Sequence, residues 1–440
     1  MAKFDTSFVC QECGYDSPAF LGKCPECGLW NTLKEIKIPS SKPSSKFSSV
    51  IPQDIKVKKL SEINHESKKR LLTGFSEMDS VLGGGMVAGS VILLAGDPGV
   101  GKSTLLLQTA LNLSAKKQTV LYISGEESEQ QIKLRAVRLT KDLKNDSLFL
   151  ISLTDTNAIV NLIQENKPDV VIIDSIQTVE SENLTGLSGS VGQVRYATSE
   201  FTKVAKQMDI PTILVGHVTK DGMVAGPMVL SHMVDTVLFL EGEKNTGTRI
   251  LRSLKNRFGP VDEVGIFTMH EEGLKEVNNP ESLFLGEGTN APGSVLVANL
   301  EGTRALLVEV QALLVFSKLP MPRRVASGVD YKRLELLLAV LQKHARLPVE
   351  QMDVFVNVAG GLKINDPACD LGICLAILSS IKNINLSRVV GIAEVGLLGE
   401  LRTPSFLEKR IKEAKKLGFT KIITPKSYKS IEEVVRMLSK

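Results

Sequence analysis

The sequence predicts an α/β protein built around a phosphate-binding loop, with a small metal-held head before it and a second mixed α/β domain after it. Three observations predict this. A glycine-rich loop, GDPGVGKST at 96–104, lies between a β-branched apolar run and an apolar helical pattern. From about residue 70 to 270, short apolar runs alternate with longer helical patterns, as βαβ units around a buried parallel sheet do. Two CxxC pairs fall within the first 27 residues.

A chain of 440 residues, 43% apolar, accommodates two or three packed domains. The first residues carry no apolar stretch of the secretory kind, and no run approaches the ~20 apolar residues of a membrane helix. The expected location is the cytoplasm. The boundaries predicted are a head at 1–33, a basic flexible tether at 34–69, a nucleotide domain at 70–272 and a second domain at 273–440.

In the head, Cys10, Cys13, Cys24 and Cys27 form C-x2-C-x10-C-x2-C. Each pair brings two thiolates to one ion, and two pairs complete a tetrahedron. Gly14 and Gly28 follow the pairs, where the chain must turn around the metal. So small a head cannot build a large core, so the metal would hold it together. A bare CxxC also serves redox chemistry, but paired motifs point to structural Zn2+. Four thiolates leave no open position for zinc catalysis. Cys369 and Cys374 lie in a predicted helix and read as core residues.

The tether PSSKPSSKFSSV at 39–50 has no apolar periodicity. Residues 34–70 hold ten Lys or Arg against four acids, a surplus of six where the whole chain has +4. Such a segment is either a polyanion-binding arm or a solvated linker.

Strands are predicted at VILLAG (91–96), TVLYISG (119–125), VVIID (170–174) and TILVGH (212–217). The loop after the first is the order a P-loop requires, strand then loop then helix. Gly96, Asp97, Pro98, Gly99, Val100 and Gly101 would wrap the phosphates of ATP with backbone amides, and the helix N-terminus adds donors and its dipole. Lys102 would neutralise the β- and γ-phosphates, Ser103 would ligate Mg2+, and Thr104 would lie by the α-phosphate. Asp174 ends its strand where a second Mg2+ group belongs. Glu126 ends the next strand after the P-loop helix and is the candidate base for the attacking water. Glu127 is its helper or a structural partner, or the pair simply opens the next helix. His217 ends a strand at a position suited to sensing the γ-phosphate.

The second region contains SVLVANL, ALLVEVQALL, a helix near 331–343, DVFVNVAGG, a helix near 369–381 and VVGIAEVG. That is a mixed α/β pattern.

CxxCG…CPxCG, SGEES, GHVTKDG and KNRFG (255–259), in this order, resemble the bacterial RadA (Sms) family over essentially the whole chain. The central domain is similar to the RecA core, and KNRFGP resembles the KxRxG motif of DnaB-type helicases. The fold class implied is a RecA-like P-loop ATPase core with an N-terminal zinc finger and a C-terminal domain like that of Lon protease. The resemblance implies a hexameric ring with ATP between neighbours, where Lys255 and Arg257 act on the neighbour's γ-phosphate. By itself KNR reads as a surface turn. It further implies an ATP-dependent DNA motor, a branch-migration helicase of homologous recombination and repair, with single-stranded and branched DNA as substrate and RecA as partner. GLSGSVGQVR (186–195, with Arg195) and TKDGMVAGPM (219–228, with Lys220) are the candidate DNA loops, or plain surface loops.

The stretch from Val354 to Ser380 resembles the segment around the catalytic serine of Lon. The serine position holds Ala368, and the lysine partner falls at Glu408 or Lys409. A methyl group cannot replace a hydroxyl nucleophile, so no Ser–Lys dyad is expected. The domain then reads as an assembly platform, and PMPRR with Arg323, Arg324, Lys332 and Arg333 as a possible DNA contact or simply exposed charge. Phe20 stands where a tryptophan is common in the family. Two other function classes are a nucleotide-gated DNA-binding scaffold without unwinding, and a Lon-like protease, which Ala368 opposes.

Overall fold

Alternation along the strands builds the central sheet. In β4 (Val91–Gly96), Ile92 and Leu94 face one side while Val91 and Leu93 face the other, and every residue of the strand is buried. A strand apolar on both faces must be covered on both. Helices α1 (Ser76–Val81), α2 (Lys102–Ala115) and α3 (Glu129–Leu139) contribute to the first cluster. Helices α4 (Thr156–Asn166) and α5 (Val191–Met208) contribute to the second. Each fully buried Leu, Ile or Val contributes roughly 1.5–3 kcal/mol, so the two faces supply most of the driving force.

The computed structural model describes residues 4–10, 16–26, 28–39, 70–140, 147–182, 184, 187–216, 230–242, 247–261, 263–277 and 291–438. The chain divides into two compact units. The first holds Met1–Gly242 with Arg249–Val261 and Phe267–Glu276, and the second is mostly Val277–Lys440.

Around β4 the sheet has nine strands. β5 (Val120–Ser124), β6 (Leu148–Ser152), β7 (Val170–Asp174), β8 (Thr212–Val215) and β9 (Thr236–Glu241) run parallel with it, in the order β9-β4-β8-β7-β5-β6. One strand, β8, therefore separates the P-loop strand from the Asp174 strand. Beyond β9 lie β10 (Thr248–Asn256), β11 (Val264–His270) and β12 (Gly273–Glu276), with β10 antiparallel to β9 and β12 antiparallel to β11. The sheet is thus mixed, where the sequence pattern predicts a parallel one. The extension's strands are joined by short connections and carry exposed residues, so they lack the continuous apolar signal of the parallel part.

The start of α5 also differs. Val191–Arg195, predicted as part of a loop, forms its first turn, because the Gln193 side chain is buried and donates to the carbonyls of Ser181 and Leu184 while accepting from the Ser181 amide. The tether begins later than residue 34. β3 (Leu33–Pro39) pairs along its length with β1 (Phe4–Cys10), whose other edge carries β2 (Asp16–Ser17).

In the second unit, β13 (Ser294–Glu301), β14 (Arg304–Phe316), β15 (Arg324–Ser327), β16 (Met352–Val358), β17 (Val389–Gly391) and β20 (Lys421–Ile423) make a six-stranded sheet. β18 (Glu394–Val395) and β19 (Leu401–Arg402) form a separate pair. Asp330 caps the helix Tyr331–Ala345 by accepting from the Arg333 amide. The helix Asp370–Lys382 is buried through its first ten residues. No described helix is long and apolar enough to cross a membrane.

Candidate nucleotide site

The loop at 96–101 hangs from the carboxyl end of a central strand, the end of an open α/β sheet where ligands bind. At Gly96 φ is +152°, and a Cβ there would lie 2.2 Å from the Leu240 carbonyl oxygen. The close approach of β9 therefore requires glycine. Gly101 precedes the first turn of α2, which places Lys102, Ser103 and Thr104 at the helix N-terminus.

Lys102 is buried, and its Nζ donates to the carbonyl oxygens of Gly96 at 2.8 Å and Asp97 at 3.0 Å. Burial pulls its pKa down, while Asp174, Asp97 and Glu126 pull it back up. A cation at the mouth of an amide-lined loop, with carboxylates around it, is a suitable counter-charge for a polyphosphate. The Arg249 guanidinium, buried on β10, donates through Nε to the Val100 carbonyl at 3.0 Å. The P-loop is thus braced from a strand more than a hundred residues away in sequence.

Asp174 ends β7, directly beside Ser124 of β5. Tyr122, 1% exposed on β5, donates its hydroxyl to Asp174 Oδ2 at 2.8 Å. Burial first, and then the Asp174 carboxylate, hold the phenol well above the usual tyrosine range. The Ser175 hydroxyl donates to Glu126 Oε1 at 2.6 Å. The Asp174–Ser175 peptide bond is cis. Glu127 turns away to pair with Arg135 of α3, while its amide donates to Ser124 Oγ at 2.9 Å. Lys102, Asp174 and Glu126 are therefore brought together at one end of the sheet.

Lys255 and Arg257 are not brought to that end. Lys255 pairs with Val237, which pairs with Leu93, and Arg257 hydrogen-bonds through its amide to Asp235 beside Val91. Both cations stand near the amino end of β4. Lys255 Nζ donates to the carbonyls of Ser231 at 2.5 Å and Val234 at 2.7 Å, and Arg257 Nη1 donates to Asp235 Oδ1 at 3.1 Å. Asp235 is 2% exposed and also accepts from the Val91 amide and from Lys206. His217, Lys220 and the loop 219–228 lie outside the described residues, as do Cys13 and Cys27.

Three family models match the chain: an AAA domain over residues 58–223, a rubredoxin metal binding domain over 8–35, and the ChlI subunit of Mg-chelatase over 332–428. Curated relatives of the chain carry the name DNA repair protein RadA. That of Bacillus subtilis is 48% identical over 97% of this chain and 93% of its own length. The proteins of Halalkalibacterium halodurans and Listeria monocytogenes are each 46% identical over the same shares. The chain belongs to the RadA family. Among solved structures, one ATPase domain covers 48% of this chain and 94% of its own length, at a TM-score of 0.42 and 15% identity.

In this RadA family member the head fits a zinc ribbon at its described residues. Cys10 and Cys24 are fully buried, with Leu33 as their apolar neighbour. After Cys24 the chain turns tightly, since Gly28 donates to the Cys24 carbonyl and Cys24 to that of Leu29, both at 2.9 Å, with Gly28 at φ +73°.

In the C-terminal unit, Ala368 is buried in the turn after Asp366, whose carboxylate accepts from the amides of Ala368 and Leu300. Arg410 is buried and donates to Asp366 and to the Ala298 carbonyl. Glu408 is exposed and pairs with Lys426. Cys369 is buried, and burial pushes its thiol well above the ordinary range. Of the cations read as a DNA contact, Arg324 donates to the carbonyls of Val349 and Met352, and Arg333 pairs with buried Asp370.

Sequence reasoning missed Tyr122, Ser175, Arg249 and Asp235. The first three sit inside apolar strands or next to a motif, and each acquires meaning only through a partner on another strand. Asp235 lies just before β9 and likewise acquires its meaning only through partners on other elements.

Proposed function

We propose that this chain is an ATP-driven DNA motor, a branch-migration helicase of homologous recombination and DNA repair. It would work in the cytoplasm as a hexameric ring that hydrolyses ATP between subunits. The observation that carries this reading is the separation of Lys102, Asp174 and Glu126 from Lys255 and Arg257 at opposite ends of one sheet. Cations that face away from their own chain's phosphates are suited to a neighbour's, where they stabilise transition-state charge and couple hydrolysis to subunit movement.

In this reading Gly96 to Gly101 cradle the phosphates, Lys102 neutralises them, and Thr104 flanks the α-phosphate. Ser103 and Asp174 would hold Mg2+, which supplies Lewis-acid charge to the phosphoryl oxygens when bound. Glu126 orients and deprotonates the attacking water, and His217 senses the γ-phosphate. Cys10, Cys13, Cys24 and Cys27 hold Zn2+ as a structural ion.

Assembly of the ring is supported by apolar side chains on and after β14, where Leu313, Phe316 and Met321 are 59%, 71% and 83% exposed. Faces of this kind are covered in oligomers. Single-stranded and branched DNA are the substrates, with RecA as the protein partner. Arg195, exposed on the first turn of α5, and Lys220 are the DNA cations.

The test is strand displacement on a forked duplex. ATP-dependent displacement, lost in Lys102→Ala, is expected. ATP-dependent DNA binding without displacement would replace the motor by a scaffold.

A further inference from the structure

We propose that two buried hydroxyls preset the hydrolysis machinery: Tyr122 positions the Asp174 carboxylate for the metal, and Ser175 positions Glu126 for the water. The inference rests on the ATPase reading and deepens it.

Tyr122 belongs to the apolar cluster beneath the P-loop helix. A phenylalanine would fill that space equally well, so packing does not call for the hydroxyl. A buried hydroxyl needs an acceptor, and the acceptor here is Asp174 Oδ2 at 2.8 Å. With one oxygen held, the carboxylate cannot rotate, and a metal or its bound water meets the other oxygen in a fixed place. Hydrogen bonds to a charged group are among the strong ones.

The second bond runs the opposite way. Ser175, fully buried just after β7, donates to Glu126 at 2.6 Å. Glu126 itself is exposed in the turn after β5. Fixing an exposed glutamate's rotamer before the reaction lowers the entropy lost during catalysis. Since β5 and β7 are adjacent, with Ser124 opposite Asp174, the two bonds cross between neighbouring strands. One leads from β5 to the metal carboxylate, the other from β7 to the base. The metal ligand and the base are thereby held as one unit.

The two positioning residues should fail in different ways, and full-length Tyr122→Phe, Ser175→Ala and Asp174→Asn test this. Binding of a fluorescent ADP is followed as Mg2+ is titrated, and single-turnover ATP hydrolysis is measured alongside. For Tyr122→Phe the Mg2+ midpoint should rise about tenfold while metal-free ADP binding is unchanged. On the Asp174→Asn background the same change should add no further shift. Ser175→Ala should leave both binding curves in place and slow hydrolysis about tenfold.

An unmoved Mg2+ midpoint in Tyr122→Phe, or loss of its fold, assigns the phenol to structure and overturns that half. Unchanged single-turnover hydrolysis in Ser175→Ala, or a shifted Mg2+ midpoint there, overturns the other half. Failure of the underlying reading looks different: wild-type protein would not turn over ATP, or Lys102→Ala would do so normally.

Discussion

Mixing two inactive variants should restore activity if the finger acts between subunits. Lys255 is level with Leu93, three residues short of Gly96, and Arg257 is level with Val91, five residues short. At ~3.3 Å per residue these offsets are roughly 10 and 16 Å along the strand. Both side chains are turned to acceptors at that far end, so neither serves its own P-loop. Arg257→Ala should lower turnover by about 10³-fold, the scale of an arginine finger. Its stability should fall by roughly 1–3 kcal/mol, because Asp235 is 2% exposed and loses one partner while keeping the Val91 amide and Lys206. In an equimolar mixture with Lys102→Ala, a working interface needs one chain with an intact P-loop beside one with an intact finger. Random assembly around a closed ring then places a competent pair at about a quarter of the interfaces. Steady-state ATPase on single-stranded DNA, measured against mixing ratio in rings shown by mass to have exchanged subunits, should peak near equal proportions. A flat response at the parental level, or near-normal turnover by Arg257→Ala alone, would refute the argument.

Lys102→Ala should reduce turnover by at least about 10²-fold, since no other cation sits in the loop to replace its charge on the transferring phosphate; a coupled ATPase assay checks this. Gly96→Ala should lower the unfolding temperature, because its Cβ would stand 2.2 Å from the Leu240 carbonyl oxygen. The expected cost is roughly 1–3 kcal/mol, measured by denaturant unfolding. Ala368→Ser should not degrade unfolded casein, because Glu408 and Lys409 are both exposed and the residue that reaches Asp366 beside Ala368 is Arg410. Removal of zinc with a chelator should release about one ion per chain and open the head to proteolysis while the nucleotide-binding core keeps its cooperative unfolding.

Much of the architecture was legible because its signals are local. VILLAG followed by GDPGVGKST carries strand, turn and helix in consecutive residues, and β4 and α2 form there. The runs at 120–124, 170–174 and 212–215 are strands for the same reason, each apolar on both faces. Signals weaken where partners are distant. The strands β9 to β12 took their places by pairing with an existing edge, which no window of sequence displays. Val191 to Arg195 became helical because Gln193 found acceptors on Ser181 and Leu184, not because of helix propensity.

The site divides along the same line. The amino-acid sequence alone determined the phosphate-binding loop, the paired cysteines and the family to which the chain belongs, because each is a matter of residue type at fixed spacing. Only the tertiary structure decided that Tyr122 meets Asp174, that Ser175 meets Glu126, that Arg249 braces Val100, and that Lys255 and Arg257 stand at the far end of the sheet. Those facts depend on strand order and register. Hydrogen bonds and charges act over a few ångströms, so a chain must fold before residues a hundred apart can interact.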